Sequence, residues 1–301
     1  MNNYYNECRL CSRECGIDRT RNVGACGVPA ELYVARAALH MWEEPPISGT
    51  RGSGTVFFSG CSLGCVFCQN RDISRGVSGI KITTERLSEI MLELENAGAH
   101  NINLVTPTHY VPTIREAIIT ARRQGLAVPI VYNTGSYDTP ETLRTLNGLV
   151  DIYLPDFKYY RPETAGLYSH AADYPTVARE AIAEMVRQTG RAELDVDGLM
   201  TRGTVVRILL LPGHVAEAKL ILHYLYTTYG DSIYLSLMNQ YTPMPKMPPP
   251  LDRRVTRQEY DQLTDYARRL GVTNCFIQDG GTAEKNFIPP FDNNGVLPQN
   301  K

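Results

Sequence analysis

Apolar positions along the chain follow two alternating patterns. Short apolar runs alternate with longer stretches in which apolar residues recur at helical spacing, as at Leu87, Ile90, Met91 and Leu94. The runs predict strands at residues 55–59, 101–106, 128–133, 151–155, 204–211, 232–238 and 275–278. The helical pattern predicts helices at residues 84–97, 112–124, 176–188, 215–229 and 256–270, with another opening at Thr139-Pro140.

Strand and helix alternate about six times, which predicts an α/β fold with a parallel sheet and right-handed crossovers. Six units are too few for a closed eight-stranded barrel, so we expect a partial, open (β/α)6 barrel with its chemistry at the carboxyl ends of the strands. Residues 1–50 read as an irregular, cysteine-rich metal-binding segment. We expect the barrel to span residues 51–285 and a C-terminal tail over residues 286–301 to wrap the surface.

The composition is that of a soluble globular protein. The 301 residues are 43% hydrophobic and 21% charged. A formal net charge of −2 gives no electrostatic case for nucleic acid or an anionic membrane. No apolar run is long enough to span a bilayer, and the N-terminus has no secretory signal pattern. We therefore expect a cytoplasmic protein with neither membrane nor nucleic acid as partner.

Eight cysteines stand out in that compartment, where clustered cysteines are metal ligands more often than disulfides. Four of them, Cys8, Cys11, Cys15 and Cys26, form a C-x2-C-x3-C-x10-C pattern. Four thiolates suit either zinc or an auxiliary iron–sulfur cluster, and disulfides are the remaining alternative. Cys275 lies in an apolar run and is predicted to be a small core residue.

A second cysteine motif follows the first barrel strand. Cys61, Cys65 and Cys68 form C-x3-C-x2-C. Three thiolates can hold three irons of a [4Fe–4S] cubane and leave the fourth iron open, unlike the four-cysteine ferredoxins. An open iron can chelate the amino and carboxylate groups of S-adenosyl-L-methionine. A structural zinc site is the alternative, but such sites are usually closed by four ligands, and no further Cys or His follows at zinc-finger spacing.

The cysteine motif carries a resemblance to a known family. With Phe67 it reads C-x3-C-x-aromatic-C, and residues 59–70 resemble the radical S-adenosylmethionine (radical SAM) superfamily. The stretch looks most like the branch related to the pyruvate formate-lyase activating enzyme. Residues 151–158 resemble that branch's Asp-x-Lys motif on the fourth strand. The N-terminal cysteines and further segments resemble an uncharacterised subfamily of the branch, the segments being residues 103–110, 238–241 and 287–292.

The resemblance implies a radical SAM oxidoreductase of the glycyl radical activating type. Such an enzyme uses a [4Fe–4S] cluster to cleave S-adenosylmethionine reductively, giving methionine and a 5′-deoxyadenosyl radical that takes a hydrogen atom from its target. The implied partners are a flavodoxin or ferredoxin as low-potential electron donor and a glycyl radical enzyme as target. Radical modification of another protein, a peptide or a small molecule is an alternative, and a non-catalytic iron–sulfur electron carrier is another.

Polar residues at the second and third strand ends are candidates for the site. The superfamily commonly has Gly-Gly-Glu at the second strand end, where this chain has Thr106-Pro107-Thr108-His109. We predict that Thr106 and Thr108 bind the cofactor and that His109 handles a proton or positions the substrate. A polar loop residue is the alternative for His109. Asn133, at the third strand end, is predicted to bind the cofactor, as is Phe67.

Charged residues on later strands complete the predicted site. Asp156 and Lys158 are alternate residues, so both can point into the barrel mouth, where Lys158 could meet the cofactor's carboxylate. A surface ion pair is the alternative. Arg207 lies inside an apolar run and needs a partner, which the barrel interior would provide. Asn239 ends the sixth strand and is predicted to contact the cofactor.

Overall fold

The computed structural model describes residues 3–278 and 289–298. The strands are β1 Leu32–His40, β2 Ser53–Phe58, β3 Ile80–Ile82, β4 Ile102–Val105, β5 Ile130–Thr134, β6 Ile152–Pro155, β7 Glu193–Leu194, β8 Met200–Leu209, β9 Tyr234–Met238 and β10 Cys275–Ile277. The α-helices are α1 Pro45–Ser48, α2 Arg71–Ser74, α3 Thr84–Asn96, α4 Val111–Arg123, α5 Pro140–Arg144, α6 Pro162–Ser169, α7 Tyr174–Thr189, α8 Val215–Tyr229 and α9 Arg257–Leu270.

The strands form one mostly parallel sheet in the order β10-β9-β8-β6-β5-β4-β2-β1-β3, with β7 paired to β8. Every neighbouring pair from β2 to β10 along this order is parallel. Helices separate consecutive parallel strands, as right-handed crossover units require. The α/β fold predicted from the alternation of strand and helix is confirmed, with a seventh parallel strand, β10, after the sixth helix-bearing unit.

Local signals in the sequence placed the C-terminal helices closely. Helix α8 has the predicted bounds, and α9 begins one residue after Thr256. Thr256 Oγ1 accepts a hydrogen bond from the Glu259 N–H (3.2 Å), and Glu259 Oε2 accepts one from the Thr256 N–H (2.9 Å). This is the capping box that the sequence predicted.

The segment predicted to be irregular, residues 1–50, contains a nine-residue strand. Strand β1 pairs antiparallel with β2 and with β3, so the predicted division at residue 50 falls between two paired strands. Its buried residues do not alternate strictly, because the β1–β2 register shifts between Val34 and Arg36. The broken alternation explains why the pattern gave no strand signal there.

The part of the tail that the structure describes packs along β1. The Asn293 N–H donates to Ala35 O (3.0 Å), and the Ala37 N–H donates to Asn294 O (2.8 Å). Val296 is fully buried. Residues 287 and 288, part of the tail segment that resembles the uncharacterised subfamily, lie outside the described residues.

Helix α1 fills one end of the concave face of the sheet. Ile47 is fully buried in a cluster with Val131 of β5, Leu154 of β6 and Val205 of β8. Because alternate strand residues share a face, the residues two positions further along these strands line the same concavity. In the part of the chain that the structure covers, no helix is long and apolar enough to cross a membrane.

Candidate functional site

A cavity of about 580 Å³ lies at the carboxyl ends of the parallel strands. Its size is in the range of small-molecule sites. Three cysteines after β2 lie on its wall together with polar residues from the next strands. The predicted site residues in the lining are Cys61, Cys65, Phe67, Cys68, Thr106, Asn133, Asp156, Lys158 and Arg207. The position agrees with the expectation that the chemistry of a barrel fold gathers at this edge.

Three polar residues, which form a polar row, lie directly beyond the apolar cluster around Ile47. Asn133, Asp156 and Arg207 each come two residues after a residue packed against Ile47. The alternation of the strands therefore turns all three side chains toward the cavity. The concave face is apolar at the α1 end and polar at the cavity.

The polar row is joined by charged contacts. Lys158 Nζ lies 2.5 Å from Asp156 Oδ2, and Arg207 Nε lies 2.7 Å from Asp156 Oδ1. Arg207 Nη2 donates to Asn133 Oδ1 at 2.7 Å, and Nη1 donates to Glu43 Oε2 at 3.2 Å. Arg207 thus has the partners that its place in an apolar run required.

The charges of this network stabilise one another. Burial favours a neutral Asp156, but Arg207 and Lys158 outweigh it and hold the carboxyl pKa below its usual value. Burial favours a neutral Lys158, but Asp156 and Cys65 outweigh it and raise the ammonium pKa. Both groups are charged at neutral pH. Their side chains are 21% and 17% exposed, so the pair lies in the cavity wall rather than on the surface.

The cysteine loop presents its sulfurs to the cavity, and each sulfur accepts one hydrogen bond, either from the loop itself or from helix α2 or α6. Gly60 and Gly64 have positive φ angles of 87° and 61°, and a side chain at Gly60 would collide with Val28 and Cys26. The donors are the Leu63 N–H to Cys61 Sγ (3.4 Å), the Ser169 hydroxyl to Cys65 Sγ (3.0 Å) and the Ser74 hydroxyl to Cys68 Sγ (3.4 Å). Hydrogen bonds of this kind tune iron–sulfur clusters, so the donor set fits the group that the motif predicted.

Burial makes thiolates costly in this loop unless a cation compensates them. Desolvation, with the neighbouring cysteines, raises the pKa of Cys61 to about 12 and raises the pKa of Cys68. Among residues 3–278 and 289–298, no group of three His, Cys, Asp or Glu side chains is arranged around a single metal ion. A cubane distributes its thiolates over separate irons, so its ligands need not converge on one point.

Phe67 supports the loop from behind. Its side chain is 6% exposed and its ring also reaches the cavity wall. It packs against Tyr159, Tyr168 and Tyr241 at centroid distances of 6.4, 6.3 and 6.0 Å, each in T-shaped geometry. Edge-to-face packing of this kind fixes the orientation of the ring between Cys65 and Cys68.

Of the three residues predicted to act at the second strand end, one lines the cavity and two do not. Thr106 lines the cavity, in the left-handed backbone region (φ 59°), and its N–H donates to Asn133 O. Thr108 and His109 are buried and are not among the lining residues. Thr108 Oγ1 lies 3.4 Å from Thr134 Oγ1. These positions count against cofactor binding by Thr108.

His109 is held in a packed environment. Its Nε2 lies 2.7 Å from Ser59 O and its ring packs on Tyr110 at 4.4 Å. Burial, aided by the Arg19 charge, lowers its pKa to about 3, so it is neutral at physiological pH. A neutral, buried ring outside the cavity lining does not fit the predicted proton-handling role, and the alternative, a polar residue with a structural environment, describes it better.

At the end of the sixth predicted strand, the cavity is lined by the neighbours of Asn239, the residue that was predicted to contact the cofactor. Asn239 donates its backbone N–H to Gln278 Oε1 (3.0 Å), whereas its neighbours Met238 and Gln240 line the cavity. Cys275, predicted to be a core residue, is half-buried and also reaches the cavity. A one-residue shift along an extended chain turns a side chain to the opposite face, which pattern reading does not resolve at a strand end.

The sequence did not predict the cavity residues at the end of β1 and directly after it. His40, Met41, Trp42, Glu43 and Glu44 all line the cavity. Glu43 Oε1 accepts a hydrogen bond from Asn103 Nδ2 at 2.8 Å, in addition to its contact with Arg207. Burial raises the pKa of both glutamates against the opposing charge of Arg207. The sequence shows an acidic pair, Glu43-Glu44, directly before Pro45-Pro46. Its place in the cavity could not be inferred without knowing that β1 is a strand that ends beside it.

The N-terminal cysteines lie together as free thiols. Burial, together with the nearby Cys26 and Cys8, raises the pKa of Cys11 to about 12. The pKa of Cys26 is raised first by its burial and also by Cys8 and Cys15. Among residues 3–278 and 289–298, the four side chains are not grouped around a single metal ion. Cys26 O accepts the Cys61 N–H at 3.0 Å, which joins this quartet to the cysteine loop.

Comparisons with known proteins agree with this geometry. The family model described as the Radical SAM superfamily matches residues 55–225. An uncharacterized protein of Methanocaldococcus jannaschii is 26% identical over 280 residues, which are 90% of this chain and 77% of that protein.

Solved structures of Streptococcus suis SuiB are similar in fold. SuiB bound to S-adenosylmethionine matches with a TM-score of 0.51 and 11% identity, over 73% of this chain and 48% of SuiB. SuiB bound to its precursor peptide SuiA matches with a TM-score of 0.51 and 11% identity, over 74% and 47%. The chain spans about half the length of the SuiB chains it matches.

Proposed function

Because the chain belongs to the radical SAM superfamily, we propose that Cys61, Cys65 and Cys68 hold a [4Fe–4S] cluster beside a site for S-adenosylmethionine. Membership of this superfamily supports an enzyme with radical SAM chemistry. The observation that carries the residue assignment is the placement of three hydrogen-bonded sulfurs on the wall of a cavity that adjoins a charged row.

A cluster held there would supply the one electron needed to cleave the sulfonium of S-adenosylmethionine into methionine and a 5′-deoxyadenosyl radical. The chain's own residues bind and orient the cofactor. Lys158 holds a positive charge next to Cys65, where it would meet the cofactor's carboxylate, and Asp156 keeps that lysine protonated. Arg207 fixes Asp156 and Asn133 in place. Thr106 and Asn133 offer polar groups at the adjoining strand ends.

The target we propose first is a glycyl radical enzyme, following the resemblance to the activating-enzyme branch. The second candidate is radical modification of another protein, a peptide or a small molecule. A specific observation favours keeping it: SuiB, which shares the fold, has been solved with a precursor peptide bound. A flavodoxin or ferredoxin in the cytoplasm is the proposed electron donor.

An anaerobic assay separates the enzyme from an electron carrier. The reconstituted protein, reduced with dithionite and given S-adenosylmethionine, should release 5′-deoxyadenosine. A protein that keeps its cluster and accepts electrons but releases none would be a carrier. Electron paramagnetic resonance then separates the enzyme candidates, since only an activating enzyme produces a stable glycyl radical signal on a partner enzyme.

A further inference from the structure

The charged side chains of the cavity wall form a continuous row of contacts from Lys158 to Glu43. Lys158 lies at the cysteine end, where Cys65 acts on its charge and its Cε faces Gly135 beside Leu63 of the cysteine loop. From there contacts pass through Asp156 to Arg207 and then to Glu43. The acidic pair Glu43-Glu44 therefore forms the end of the row away from the cysteines, and we name it the acidic end.

A carboxylate oxygen at the acidic end lacks a partner. Glu44 is 8% exposed and lines the cavity, yet among the described residues its Oε2 has no hydrogen-bond partner. When Glu44 is ionised, Oε2 is an acceptor, and a buried acceptor without a donor is destabilising.

The charges at the cavity do not balance. Among the described lining residues, the carboxylates of Glu43, Glu44 and Asp156 face the cations of Lys158 and Arg207. Asp156 is held between both cations, whereas Glu43 and Glu44 share Arg207. With both glutamates ionised, one negative charge would be left over at the acidic end. In the empty cavity the raised pKa of both carboxyls relieves that charge by favouring the protonated form, and a bound cation would compensate it instead.

A ligand that brings a positive charge and several N–H donors would satisfy both deficits. We propose that the acidic end binds a protonated amine of the substrate, with Glu44 as its principal contact. The proposal rests on the proposed function, because it assigns to the substrate the part of the cavity that the cofactor at the cysteine end leaves over. The amine can belong to a small molecule or to a lysine side chain of a peptide.

Calorimetric titration of the reconstituted protein, with S-adenosylmethionine present and oxygen excluded, tests the proposal. The probes are 1-aminopentane and Nα-acetyl-lysine amide, compared with 1-pentanol and Nα-acetyl-norleucine amide, which lack the charge. At least one amine should bind ten times or more tightly than its neutral counterpart. Binding of the lysine derivative alone would identify a peptide as the source, and binding of both would show that the ammonium suffices.

A matched pair of variants assigns the contact. Glu44→Gln keeps the side-chain shape and removes the charge, and it should weaken amine binding tenfold or more with affinity for S-adenosylmethionine unchanged. Glu141→Gln, on the exposed surface, should change neither. Glu44→Asp, which keeps the charge, should retain part of the amine affinity. It is the second test variant if Glu44→Gln does not fold stably.

Two results would overturn the proposal. One is equal binding of amines and neutral analogues by the wild-type protein. The other is a Glu44→Gln variant that loses affinity for S-adenosylmethionine, since Glu44 would then serve the cofactor. Either result leaves 5′-deoxyadenosine release intact as a separate test of the proposed function.

Discussion

At the scale of single residues, the cysteine motif was the most informative feature of the sequence. The spacing of Cys61, Cys65 and Cys68 indicates an iron–sulfur cluster site by itself, because the ligation of a cluster needs particular residue types at fixed separations. The spacing of Asp156 and Lys158 also put both side chains in the cavity wall. Thr108 and His109 were less predictable, since a left-handed turn at Thr106 redirects the chain after β4 and no residue pattern encodes where it leads.

Each cysteine of the motif is expected to be indispensable. Cys61→Ala, Cys65→Ala and Cys68→Ala should each abolish reductive cleavage of S-adenosylmethionine, because the cluster needs three thiolates to leave one iron open. The measurement is 5′-deoxyadenosine released under anaerobic conditions, with iron and sulfide content determined for each variant. Normal cleavage by a variant with an intact cluster would show that the ligands are assigned wrongly.

Lys158 is expected to serve the cofactor more than the fold. Lys158→Met keeps most of the aliphatic length and removes the charge, so affinity for S-adenosylmethionine should fall by about 1.5–3 kcal/mol, the range for a lost charged hydrogen bond. Anaerobic titration followed by calorimetry measures it. Lys81→Met, which removes a surface pair with Glu31, is the control and should have no effect.

The opposite outcome for Lys158 is equally specific. Unchanged cofactor affinity, together with a marked loss of thermal stability, would mean that Asp156 and Lys158 form a structural ion pair. Thermal stability can reveal such a structural role, because the pair is largely buried. Removing Lys158 leaves the Asp156 carboxylate with Arg207 as its remaining cation among these contacts.

At the scale of helices and strands, local signals decided how much could be predicted. The parallel strands and the long amphipathic helices were readable because each repeats one pattern over many residues. Strand β1 was not readable, because its register shift breaks the alternation and its pairing with β2 is a tertiary contact. The cost of missing β1 was functional: it carries Glu43 and Glu44 to the cavity.

The capping box of α9 provides a stability prediction at this scale. Thr256→Ala removes the hydroxyl that accepts the Glu259 N–H and should lower the free energy of unfolding by about 1 kcal/mol. Thr256→Ser keeps the acceptor and should restore most of that stability. Urea unfolding followed by circular dichroism compares the three proteins, and equal midpoints would show that the cap contributes nothing to the fold.

At the scale of the whole molecule, the N-terminal segment and the barrel form one structure around the cysteine loop. Arg13 donates to the carbonyl oxygens of Ser62, Leu63 and Ser169, and Cys26 O accepts the Cys61 N–H. The sequence predicted the parallel sheet and the cysteine loop, but not that Arg13 and Cys26 of the N-terminal segment bind directly to that loop. Contacts between segments distant in sequence leave no local pattern to read.

The N-terminal quartet is expected to hold a metal centre of its own, either zinc or a second iron–sulfur cluster. A closed four-thiolate site contributes to folding and does not depend on the main cluster. Elemental analysis of the Cys61→Ala, Cys65→Ala, Cys68→Ala triple variant should therefore still find zinc or iron. A well-folded triple variant free of both metals would contradict a separate centre.

If the three-cysteine cluster keeps one iron open for S-adenosylmethionine, the bound cofactor must contact that iron. The reduced, reconstituted protein is mixed with S-adenosylmethionine labelled with 17O in its carboxylate and examined by electron–nuclear double resonance. We expect a hyperfine coupling between the label and the cluster, because the carboxylate would bind the open iron. A cluster signal that is unchanged by saturating cofactor, with no coupling to the label, would contradict it.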